Sequence, residues 1–228
     1  MKKYLLAFVM LLFSINIYAQ KDVTKFMGIP VDGFKQQMFQ KLKEKGFVAS
    51  ELGNGYLEGE FNGEDVYVNA VTNNNKVYRI FIKDKVARNQ TDIKIRFNKL
   101  CRQFKENPKY ITLSEGDDFT ISEDEDISYE MTVNKKRYEA GFYQKPQDID
   151  SIAIQNSVDS ILKTKYTKEQ IENPTDEEYK DQLQFAVLYA FEILYSKSVW
   201  FMISEEYGKY YILMFYDNKY NEANGEDL

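Results

Sequence analysis

The chain has 228 residues, with 36 acidic side chains against 30 basic, no His and one Cys. Without His there is no ordinary base near neutral pH, no Ser–His or Cys–His nucleophile, and none of the commonest zinc ligand; the lone Cys101 excludes an internal disulfide and a cysteine zinc site. A net charge of −6 argues against nucleic acid and anionic lipid as partners, since both need clustered Lys and Arg.

The chain opens with Lys2 and Lys3, an apolar run from Tyr4 to Ile17, and Tyr18-Ala19-Gln20. This is the three-part pattern of a secretory signal peptide over residues 1–19, with cleavage expected between Ala19 and Gln20. At about 1.5 Å per residue the run falls short of a ~30 Å hydrocarbon core. No Cys near the boundary can carry a lipid. The expected product is exported, periplasmic or extracellular, without a stable membrane anchor, and its loss of Lys2 and Lys3 moves the net charge to −8.

Phe34, Met38 and Leu42 recur every four residues, Gly46 follows, and Asp32 can cap the start, which predicts a helix over 33–45. Strands are expected at Tyr56–Phe61 and Glu64–Val71 around Asn62-Gly63, a strong hairpin signal, and then at Lys76–Ile82. A second helix, capped by Thr91, carries Ile93, Phe97, Leu100, Cys101 and Phe104 on one face and ends at Asn107-Pro108. Cys101 therefore reads as a small buried hydrophobe. Phe119–Ser122, Asp126–Val133 and Arg137–Tyr143 read as strands. Aligned on Glu64-Asp65-Val66 and Glu125-Asp126-Ile127, the two stretches form a tandem helix–three-strand repeat.

A helical insertion follows. Ile154, Val158, Ile161 and Leu162 mark a short helix, and the capping box Thr175-Asp176-Glu177-Glu178 opens a longer one over 176–196. That helix carries Tyr179, Leu183, Val187, Ala190, Phe191 and Leu194 on one face, with Phe185, Leu188 and Ile193 widening the sector. So apolar a helix is expected to lie buried against the sheet. The last hairpin pairs Val199–Ser204 with Lys209–Tyr216. The fold expected is α+β, an antiparallel sheet built from the two repeats (20–89 and 90–146), then the insertion and C-terminal hairpin (147–228), all in one unit.

Site candidates are few. The acidic runs Glu115-Gly116-Asp117-Asp118 and Glu123-Asp124-Glu125-Asp126 lack the calcium-loop pattern and read as solvated turns. Asp217 to Asp227 fails the same pattern, with Glu222 where Gly is required. Glu205/Glu206, and Glu58/Glu60 which alternate onto one strand face, are acid pairs on strands and read as surface. No phosphate-cradling glycine motif is present, so no cofactor is expected. Lys-x-Tyr opens the returning strand of each hairpin, which reads as a repeated binding edge or, more simply, as Lys in solvent and Tyr on a half-buried sheet face. The 18 Tyr, 16 Phe and single Trp are an aromatic excess; interfaces favour Tyr and Trp, while a buried sheet would account for most of these residues without any ligand. Trp200, Tyr207, Tyr210 and Tyr211 are the candidate interaction residues.

The leader, the Gly28-Ile29-Pro30-Val31-Asp32-Gly33 lead-in and the Phe215-Tyr216-Asp217-Asn218 to Asn224-Gly225-Glu226-Asp227-Leu228 ending resemble uncharacterised secreted proteins of Bacteroidetes type. The tandem helix-plus-strands plan is also similar in architecture to beta-lactamase inhibitory protein and to the small outer-membrane lipoprotein of the assembly machinery. These resemblances imply an exported protein and no particular activity. The expectation is a non-enzymatic binding module for an envelope protein or glycan. The alternatives are a secreted hydrolase using carboxylates alone, and a structural or inhibitor-like module.

Overall fold

The structure, a computed structural model, describes residues 22–53, 55–112, 118–145, 160–223 and 225. In chain order these form β1 (Lys25–Phe26), β2 (Ile29–Pro30), α1 (Lys35–Glu44), β3 (Val48–Ala49), β4 (Leu57–Phe61), β5 (Glu64–Asn73), β6 (Lys76–Asp84) and α2 (Gln90–Glu106). There follow β7 (Tyr110–Ile111), α3 (Ile127–Thr132), β8 (Glu139–Gln144), α4 (Lys168–Glu172), α5 (Asp176–Tyr195), β9 (Ser198–Glu206) and β10 (Lys209–Asp217). The protein is α+β. Strands β3 to β10 make one sheet in the order β3-β4-β5-β6-β10-β9-β8-β7, every neighbouring pair antiparallel.

Period-two alternation divides each strand between two faces. Val66, Val68, Ala70, Ile80, Ile82, Val199, Phe201, Ile203, Ile212 and Met214 are all buried on one face. Met38 and Leu42 of α1, and Ile93, Phe97, Leu100 and Phe104 of α2, join them in the core. The β4–β5 turn falls on Asn62-Gly63 as the sequence predicts, both residues at positive φ. Asn74-Asn75 turns β5 into β6 in the same way.

The helix caps differ from expectation. Helix α1 starts after Phe34 with no side-chain cap, and Asp32 instead accepts from the Gly33 amide and the Asn221 side chain. Helix α2 is capped by Asn89, two residues ahead of the expected Thr91, with its side chain accepting from the Asp92 amide.

The second unit departs further from the expected repeat. Ile127–Thr132 is helical, because Asp126 accepts from the Tyr129 amide as an N-cap and only Ile127 is buried. Phe119–Ser122 joins no sheet: the Asn98 side-chain amide of α2 grips the Ile121 backbone at both N–H and C=O, at 2.8 and 2.7 Å. Asn98 thus satisfies the groups a neighbouring strand would have bonded. Of the expected strands, only Arg137–Tyr143 is realised, as β8.

Helix α5 and its capping box form as expected, with Glu178 accepting from the Thr175 amide at 2.8 Å. Its placement does not. Tyr179, Leu183, Val187, Leu188 and Phe191 are all exposed, between 40 and 59%. The helix turns Gln182 and Phe185 toward its own hairpin partners instead: Gln182 donates to the Gln170 carbonyl, and the Lys165 ammonium sits 4.2 Å from the Phe185 ring centre. Its main contact with the sheet is at its C-terminal end, where Tyr195 packs on Tyr143 of β8 at 5.2 Å. The side chains of Ala190, Ile193 and Leu194 lie outside the described residues, as do the leader with Ala19 and Gln20, Glu115–Asp117, and Ile154 and Val158. No helix among the described residues is long and apolar enough to cross a membrane.

Cys101 is buried on α2, and the apolar surroundings push its thiol up to about 12 from the ordinary 9.0. A thiol raised in the folded state stabilises below its ordinary value. That contribution is lost as pH climbs from 9 toward 12, where the unfolded chain ionises first. Native protein at pH 8 should therefore show no reaction of Cys101 with a chromogenic disulfide reagent within the time that urea-unfolded protein reacts completely; labelling at equal rates would show the α2 core to be open.

Candidate functional site

The sheet face away from α1 and α2 carries its own ordered side chains. Cross-strand register lines up Asn69, Phe81, Phe215, Trp200 and Gly141 in one row across five strands. The neighbouring row runs Tyr67, Lys83, Leu213, Met202 and Glu139. Most of these are half-buried, so the face is apolar and open at once. Helix α5, expected to lie buried against the sheet, makes its main contact with the sheet at β8 among the described residues.

Trp200 is the centre of this face. One side of its indole stacks on Phe215, with ring centres 4.0 Å apart and planes 18° apart. Phe215 leans in turn on Phe81 at 5.5 Å. The indole N–H donates to Asp217 Oδ2 at 2.9 Å. Asp217 also takes a two-pronged bond from Arg79, Nε to Oδ1 at 2.5 Å and Nη2 to Oδ2 at 2.8 Å. The guanidinium lies 5.6 Å from the Trp200 ring and 5.0 Å from that of Phe215. The hydrogen bond to Asp217 raises the Arg79 pKa further, so its charge is fixed. Hydrogen bond, ion pair and cation–π contact together hold the indole in one orientation.

On the other side of Trp200, on β8, stands Gly141. A Cβ built there would meet nothing within 4 Å, so the indole does not fold over the glycine. A recess of about 240 Å³ opens at this point. Trp200, Tyr143 and Tyr195 wall it, with Arg79, Lys219 and Glu222 at its polar margin. Lys219 pairs with Glu222 at 3.5 Å and lies over the Tyr195 ring at 5.9 Å.

The four aromatic candidates are thus divided. Trp200 lines the recess. Tyr211 is on the same face but further along, under the Lys83 ammonium at 4.3 Å. Tyr207 is fully exposed at the β9–β10 turn with φ of 53°. Tyr210 is 4% exposed in the core, and its backbone pairs with Arg88, so its ring serves packing. In the Lys-x-Tyr hairpins, Lys76 and Lys209 are exposed while Tyr78 and Tyr211 are half-buried. Gly141, Tyr143 and Arg79 went unseen in the sequence: they come from two strands, β8 and β6, and meet Trp200 of β9 and Asp217 of β10 only through register.

Several of the acidic candidates have structural partners, while Glu115–Asp117 lie outside the described residues. Glu58 pairs with Lys85 and accepts from Ser50. Glu206 pairs with Lys83 at 2.6 Å, and Glu205 accepts from the Gly208 amide. Glu125 binds Lys136 and Tyr138, and these bonds lower its pKa; Asp126 caps α3. Comparison with protein-family models, with curated proteins and with solved structures found no match for this chain.

Proposed function

We propose that the protein is an exported, non-enzymatic binding module that takes a sugar ring of an envelope or environmental glycan against Trp200. The observation that carries this reading is the indole itself: stacked on Phe215 on one side, bare toward Gly141 on the other. A pyranose ring stacks its C–H face on such an aromatic plane, and the polar groups at the margin of the recess are hydroxyl partners. Asp217 is spent on Arg79 and Trp200, and Glu222 on Lys219. Among the described residues the recess therefore offers no carboxylate pair standing ready for hydrolysis, which favours binding over the hydrolase reading. The signal-like leader supports export.

Trp200 is the only Trp in the chain, so its emission reports this site alone. Titration with a panel of bacterial and plant oligosaccharides should give a saturable change in Trp emission for at least one glycan class. Gly141→Leu, which fills the open space, should abolish that change while leaving the thermal transition in place. A flat response across the panel would overturn the proposal, as would a Gly141→Leu variant that binds like the original.

A further inference from the structure

The opposite side of the sheet holds a second and larger cavity, of about 690 Å³. It opens between the C-terminal end of α2, the β1–β2 hairpin and the strand ends at β7, β8 and β9. Its floor is Met214 and Tyr216 of β10, and its walls are Phe61 and Phe104. This volume lies in the ~300–1,000 Å³ range of small-molecule sites.

The base of the cavity is held firmly. The Gln144 side-chain amide pairs with the Lys25 backbone as a strand would, accepting from its N–H at 2.8 Å and donating to its C=O at 2.7 Å. The same amide donates to the Tyr110 hydroxyl at 3.2 Å. Tyr216 is 4% exposed, and burial, with the nearby Tyr110 and the hydrogen bond to it, pushes its pKa well up. Lys197 is 1% exposed, its ammonium tied to Asp22 at 2.7 Å and to the Lys145 carbonyl at 3.3 Å.

The charge around this cavity runs against the rest of the chain. Four lysines line it, Lys25, Lys109, Lys145 and Lys197, and no Asp or Glu does among the described residues. The whole chain carries a net −6. Asp22 neutralises Lys197, while Lys109 and Lys145 show no ion pair among the described residues and stand exposed at the mouth. An apolar floor with ammonium groups at the rim suits one chemistry. We infer that this cavity binds a small amphipathic organic anion, with its hydrophobic body against Phe61, Phe104 and Met214 and its acidic group between Lys109 and Lys145. The site is separate from the Trp200 recess, across the sheet from it.

The test uses the full chain and the fluorescent anion 1-anilinonaphthalene-8-sulfonate, with uncharged N-phenyl-1-naphthylamine as its partner probe. The anion should bind at one site, more weakly as salt rises. The double reversal Lys109→Glu/Lys145→Glu alters two exposed side chains. It should weaken the anion about tenfold or more while changing the neutral probe less than about twofold. Decanoate should displace the anion and inorganic phosphate should not, which separates an amphipathic ligand from a bare anion site. Displacement by phosphate alone would overturn the amphipathic assignment. A reversal variant that binds the anion as well as the original would overturn the inference, and so would loss of both probes together. The exposed stripe of α5 is a competing site for the dye: Leu183→Glu/Val187→Glu should leave the titration unchanged, and its abolition there would place the dye on α5 and sink the assignment. Unaltered Trp200 emission in each variant confirms that the fold is kept.

Discussion

Asp84→Ala should cost about 3–5 kcal/mol in urea denaturation, the range for removing one partner of a buried ion pair. Asp84 closes β6 and is 2% exposed. Its Oδ2 accepts from Arg88 at 2.9 Å and from Arg96 at 3.2 Å. Arg88 reaches on to Glu64 at 2.6 Å, so two guanidinium groups balance two carboxylates. Burial pushes the Asp84 carboxyl up, and the two arginines pull against it. The vulnerable member of this balance is Arg96 itself, 4% exposed and with Nη1 finding no hydrogen-bond partner among the described residues. Without Asp84 its nearest carboxylate is Glu64 at 3.7 Å. The double variant Asp84→Leu/Arg96→Met removes both charges and should recover most of the loss. A single variant costing under ~1 kcal/mol would show that water already reaches the cluster.

Phe201→Ala should cost a similar amount, about 3–5 kcal/mol, through the cavity it leaves. Phe201 is fully buried on β9 and touches three other rings: Phe97 at 5.1 Å, Phe104 at 5.6 Å and Phe142 at 6.1 Å. These rings join α2 to β8 and β9, so their loss loosens a helix and a sheet edge together. A loss of this size is a large share of the ~5–15 kcal/mol by which domains are stable, and calorimetry should show the melting temperature lowered by about 10 °C. Leu183→Ala on α5 is the matched control: 54% exposed, it should cost less than ~0.5 kcal/mol. Equal losses for the two would mean that the α5 stripe is covered in solution.

That contrast also marks how far periodicity reaches. The spacing of Ile93, Phe97, Leu100 and Phe104 and that of Tyr179, Leu183, Val187 and Phe191 are the same kind of signal. One stripe is buried and the other exposed. A repeating apolar position states that a helix has a greasy side; it does not state which surface is left for it. Helices α1 and α2 take the core face of the sheet, and α5 is occupied by its own hairpin. The second unit shows the same limit at shorter range. Asp126-Ile127-Ser128-Tyr129 alternates like a strand, but an Asp positioned to bond the amide three residues on makes a helix start.

At the candidate site, composition pointed to aromatics and the last hairpin located Trp200. It could not separate Trp200 from Tyr210, because the face of a strand residue follows from register, and a shift of one residue exchanges the faces.

The sequence by itself determined the α+β class, the hairpins at Asn62-Gly63 and Tyr207-Gly208, the span of α5, and the absence of histidine and disulfide chemistry. These follow from local turn geometry, local periodicity and residue inventory. Only the tertiary structure decided that Gly141, Trp200 and Phe215 stand side by side, that Arg79 meets Asp217, and that four lysines of an acidic chain gather around one cavity. Those neighbours are up to 172 residues apart, from Lys25 to Lys197, and strand order together with the Gln144 bonds to the Lys25 backbone brings them together.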